Sequence, residues 1–71
     1  MKLQYYSDTD SLYIDLNSRP SVRSVEVAEG VVLDFDQDGL LVGIDIDHAS
    51  GKMDLKILET QSLPADKTKM A

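Results

Sequence analysis

The chain has 71 residues, thirteen acidic against seven basic side chains, a formal net charge of −6 and no cysteine. That length holds one domain with a small core, and the missing cysteines exclude disulfides, thiolate metal sites and cysteine nucleophiles. The scattered lysines form no cluster able to displace phosphate counterions, which argues against direct nucleic-acid binding, and no apolar run approaches the ~20 residues that span a bilayer.

The opening Met1-Lys2-Leu3-Gln4-Tyr5-Tyr6 has no apolar stretch of signal-peptide type, so a cytoplasmic protein is expected. Residues 2–6 read as a strand with Leu3 and Tyr5 on one side, Gln4 and Tyr6 on the other. Ser7-Asp8-Thr9-Asp10 supplies short oxygen-bearing side chains that hydrogen-bond nearby backbone in turns. A second strand, 11–16, sets Leu12, Ile14 and Leu16 against Tyr13 and Asp15 and completes a hairpin. The polar stretch from Asn17 to Ser21 follows, its Pro20 unable to donate to a ladder. In a third strand, 22–28, Arg23, Val25 and Val27 share one face and Ser24 and Glu26 the other. Past Glu29-Gly30, strand 31–36 buries Val31, Leu33 and Phe35 and exposes Asp34 and Asp36. Gln37-Asp38-Gly39 is a tight corner in which Gly39 is free to take a positive φ. The fifth strand, 40–46, turns Leu40, Val42, Ile44 and Ile46 inward, with Leu41, Gly43 and Asp45 opposite.

Beyond the sheet the pattern changes. Asp47 is placed to cap a helical turn through His48-Ala49-Ser50, which Gly51 ends in the left-handed conformation. Asp54 offers a second N-cap, with Met53 and Leu58 forming a hydrophobic staple around Leu55-Lys56-Ile57. Met53, Leu55 and Ile57 also alternate with Asp54 and Lys56, a strand pattern; a short helix packed on the sheet is the reading adopted. Residues 1–61 form the domain, and 62–71 read as a flexible tail. The predicted class is α+β: a small twisted antiparallel sheet of about five strands with two hairpins and a short C-terminal helical element.

Two ordered blocks carry a resemblance. The first is Tyr5 followed by Asp10-Ser11-Leu12-Tyr13-Ile14; the second holds Asp34, Asp36, Asp38, Gly39, Val42, Gly43, Ile44, Asp45, Ile46, Ala49 and Ser50. The pattern, over about residues 5–60, resembles a small bacterial and archaeal group, the uncharacterised domain-of-unknown-function family 2283. Tyr6 departs from it, standing where an acidic residue is expected. The resemblance implies a small sheet fold, often encoded beside compact basic proteins of toxin-like type. It lends neither an activity nor catalytic residues.

Several constellations invite chemistry. Asp34-x-Asp36-x-Asp38-Gly39, with Leu41 at the apolar eighth place and Asp45 at the twelfth, matches a calcium-binding loop. In extended strands Asp45 lies down the partner strand and cannot close the cage, so a hairpin turn is the preferred reading. Asp34, Asp36 and Asp38 stay as candidate ligands for calcium or magnesium. His48 has Asp45, Asp47 and Ser50 nearby, but a base and its nucleophile must lie within ~2.6–3.2 Å, and helical neighbours two apart diverge. No catalytic residue is assigned and no cofactor is implied. Gly43, in mid-strand, leaves room for Tyr6 or Tyr13, or for a partner's ring.

Tyr6, Tyr13, Val32 and Leu41 point away from the assigned core face, which predicts a homodimer interface there. A chain this short buries only about 60% of its unfolded surface, so self-association is an economical supplement. The composite expectation is a non-enzymatic protein-interaction module, an acidic antitoxin-like partner of a small basic protein. A divalent-metal-binding domain is the alternative.

Overall fold

A computed structural model describes residues 1–64. The elements are β1 (Lys2–Tyr6), β2 (Ser11–Asp15), β3 (Arg23–Ala28), β4 (Val31–Phe35), β5 (Leu41–Ile46) and α1 (Ala49–Lys52). They build one five-stranded sheet in the order β1-β2-β5-β4-β3, every neighbouring pair antiparallel. Three consecutive strands, β3 to β5, form a meander, and β2 lies beside β5 through a longer connection, which is Greek-key order. That connection crosses one end of the sheet, where Leu16 N–H donates to the Val42 carbonyl at 2.9 Å and Val22 N–H to that of Phe35 at 2.8 Å. The expected α+β class and five strands are therefore present. The tail expected over 62–71 falls mostly on residues 65–71, outside the described residues.

Because directly opposed residues share a face, the register sorts the side chains. Leu3, Tyr5, Leu12, Ile14, Ile44 and Ile46 lie on one face with Val31, Leu33, Val25 and Phe35. Lys2, Gln4, Tyr6, Tyr13, Asp15, Gly43 and Asp45 lie on the other with Val32, Asp34, Ser24 and Glu26. We call these the apolar and acidic faces.

Two irregularities correct the alternation. Between Asp34 and Phe35 the register slips, so Phe35 opposes Leu41 and β5 carries an extra residue. Leu41 thus sits on the apolar face with Phe35, not with Tyr6, Tyr13 and Val32. Val42 is buried at 3% exposure, while Leu40 belongs to the turn and is exposed instead of pointing inward. A second slip between Glu26 and Ala28 leaves Val27 unpaired and exposed.

The core gathers Leu12, Ile46 and Ala49, with Ile14, Ile44 and Met53 packed against them. It sits on the apolar face, under α1 and the segment that follows. The helix comes one turn earlier than the staple predicted. Residues 53–58 form neither helix nor strand: a turn at 55–56, with Ile57 N–H on the Asp54 carbonyl at 3.4 Å, stands in place of both expected patterns. Asp47 does not cap α1: the N-cap position is His48, left-handed at φ 52° and without a side-chain cap bond. Gly51 lies inside α1, and Met53 closes it with extended backbone.

Candidate functional site

Asp10 holds the first hairpin to α1. Its carboxylate accepts from Ser50 Oγ at 2.7 Å, from Ser50 N–H at 3.1 Å and from the Tyr5 hydroxyl at 2.7 Å. Its carbonyl takes Ala49 N–H at 2.9 Å. The cap therefore comes from the β1–β2 turn, forty residues from Ser50, with Asp10 itself left-handed at φ 54°. Ser50 and Tyr5, as donors, hold the Asp10 carboxyl below the usual carboxylate range, and the same bond pushes the Tyr5 phenol up. Ser50 is thus bonded to a carboxylate, while His48 makes no side-chain cap bond; the two do not form a base–nucleophile pair.

Asp36 organises the β4–β5 corner. Its Oδ1 accepts from Asp38 N–H and Leu40 N–H, each at 2.9 Å, and its Oδ2 takes the Arg19 guanidinium at 3.0 Å. Gly39, at φ 82°, completes the turn with its N–H on the Asp36 carbonyl. The Leu40 N–H, helped by Arg19 and Asp38, outweighs burial and holds the Asp36 carboxyl low. Arg19 also reaches Asp38 at 3.5 Å. The calcium-loop spacing is thus used otherwise: a guanidinium from the β2–β3 connection supplies the positive charge, and Asp34 turns onto the acidic face. Among the described residues no group of three or more metal-binding side chains converges. Nothing in the sequence marked Arg19, which pairs across seventeen residues.

On the acidic face Tyr13 answers the Gly43 question. Its ring lies across Gly43, and its hydroxyl donates to Asp34 Oδ2 at 2.9 Å. Asp34 Oδ1 accepts from Ser24 Oγ at 2.6 Å, so one chain of bonds runs from β2 over β5 to β4 and β3. Burial, then Asp34, push the Tyr13 phenol up to about 12. Tyr6 and Val32 share this face without joining that chain of bonds.

Asp45 stands beside it. Burial first, then the charges of Asp47 and Asp34, push its carboxyl above the usual range. Among the described residues its side chain has no hydrogen-bond or ion-pair partner, nor do the side chains of Asp15 and Glu26 pair with a cation. Glu26 accepts only the Gly30 N–H, at 3.1 Å. Lys52, the cation closest in sequence to Asp47, is spent on the carbonyls of Asp47 and Glu29, at 2.6 and 3.0 Å.

A model of the family described as Protein of unknown function (DUF2283) matches residues 2–50. Comparison with the curated proteins and with the solved structures gives no match. The matched span takes in both sequence blocks and the whole sheet, and it ends on the Ser50 that Asp10 holds.

Proposed function

We propose that this chain, which belongs to the DUF2283 family of proteins of unknown function, works by binding, its acidic sheet face docking a small basic protein as the neutralising half of an antitoxin-like pair. Asp45 carries the reading. A half-buried carboxylate crowded by Asp47 and Asp34, with no counter-charge among the described residues, gains most when a partner's guanidinium or ammonium arrives. Around it Asp15, Asp34 and Glu26 present the same sign from three neighbouring strands. The Tyr13–Asp34–Ser24 bonds fix that surface beforehand, so little ordering entropy is lost on association. The net charge of −6 steers a basic partner to it, at a rate that falls with ionic strength.

Affinity purification tests this, with the chain as bait in native extract and with the co-expressed product of the neighbouring gene. A basic protein is expected to co-purify, to be released by raised salt, and to be lost when Asp45→Asn and Asp34→Asn are combined. Equal recovery by the neutralised variant would overturn the assignment.

A further inference from the structure

We propose that the apolar face seats a second copy of this chain, giving a two-fold dimer with its acidic faces outward. This goes beyond the basic partner, and its test uses the purified chain alone.

The strand carboxylates are confined to one face. Every strand carboxylate, Asp15, Glu26, Asp34 and Asp45, lies on the acidic face, whereas the strand-borne charge on the apolar face is Arg23. Its guanidinium stacks 4.8 Å over the Phe35 ring, where it covers apolar surface. Two chains of net charge −6 can approach through this face without bringing their strand carboxylates together. Through the acidic face they would bring those carboxylates together, and Tyr13 is already committed to Gly43 and Asp34 there.

The cover is also incomplete in a self-complementary way. The segment 53–58 lies against Leu3, Tyr5, Leu12 and Ile14, on the β1–β2 half, and leaves an open groove of about 560 Å³. Val25, Leu33 and Phe35, on the β3–β4 half, stay only half-buried, while Ile57 and Leu58 on the covering segment are 61% and 55% exposed. A ridge beside a bare half-face is what a two-fold axis can use, because each ridge falls on the other copy's bare half.

Area agrees with this occupant. The molecule measures 30 × 29 × 19 Å, so the broad side, sheet and covering segment together, spans at most about 900 Å² in plan, wide enough for the ~800 Å² per partner of a standard interface. The need is plain as well: among the described residues the buried apolar ones are Leu12, Val42, Ile46 and Ala49, a small core for five strands.

Sedimentation of the full chain at about 100 µM, where micromolar association is nearly complete, should give twice the 7.9 kDa chain mass. Val25→Glu should return it to one chain mass, and Gln4→Glu, at an exposed strand residue on the other face, should not. Since the chain has no cysteine, single variants also report directly. Val25→Cys mixed with Ile57→Cys should form a cross-linked pair under mild oxidation, whereas Ser24→Cys with Ile57→Cys should not. A wild-type monomer at that concentration, or equal cross-linking from Ser24→Cys and Val25→Cys, would overturn the dimer.

Discussion

Gly43→Ala is the sharpest perturbation of the acidic face. A β-carbon there would fall on the Tyr13 hydroxyl and lie 2.5 Å from Cζ and 3.2 Å from Cε2, so the ring must swing aside. Losing its bond to the Asp34 carboxylate costs about 1.5–3 kcal/mol, and the displaced ring adds about 1 kcal/mol of strain. Alanine's advantage over glycine within a strand returns up to ~1 kcal/mol. The net is roughly 2–3 kcal/mol, out of about 4–10 kcal/mol for a domain of this size. In a Tyr13→Ala background the obstacle is gone, and the same substitution should be neutral or stabilise by up to ~1 kcal/mol. Urea unfolding of the four proteins at one fixed concentration, followed by far-ultraviolet circular dichroism, measures the cycle. An equal cost of Gly43→Ala with and without the ring would refute the reasoning.

Two further outcomes follow from the bonded carboxylates and phenols. The Tyr13 phenol, raised from the ordinary 10.0 to about 12, contributes stability that is complete below pH 10 and is lost as pH rises toward 12. Absorbance titration at the phenolate band should show a last ionisation near pH 12 that Tyr13→Phe removes. Asp36 is held low, so its contribution is present above the unfolded carboxylate range and lost as pH falls through its folded value. Removing one of the causes, Arg19→Ala should move the acid limb of thermal stability to higher pH; an unmoved limb would mean that the 3.0 Å pair is idle in solution.

The strands were legible because alternation writes directly onto the two sides of a pleat, and Gly39 marked the corner by needing a positive φ. The bulge was not. Leu40, Leu41 and Val42 are all apolar, so an inserted residue leaves no break in the pattern, and simple alternation assigns Leu41 to the wrong face. Helix α1 was legible as a helical turn near 48–50, but not its cap: that comes from Asp10, in another turn, where the local signals at Asp47 and Asp54 point elsewhere. Arg19 is the same lesson on the β4–β5 corner. A long-range guanidinium replaced the cation that the aspartate spacing suggested.

The residues that carried the family resemblance nearly all turn out to answer demands of the backbone. Tyr5, Asp10 and Ser50 cap the helix, Tyr13, Gly43 and Asp34 brace the sheet, Asp36, Asp38 and Gly39 shape the corner, and Leu12, Val42, Ile46 and Ala49 fill the core. Asp45 is the exception, a carboxylate with no such task among the described residues and with two like charges beside it. Its folded value is raised, so the stability it offers is present below the unfolded carboxylate range and lost as pH climbs through the folded value. At neutral pH the charge is therefore a burden on the isolated chain. Asp45→Asn should raise the melting temperature at pH 7, leave it little changed at pH 3, and weaken capture of a basic partner, the exchange of stability for function expected at a binding surface. A lower melting temperature at pH 7 would instead give Asp45 a structural partner and remove the argument for the acidic face.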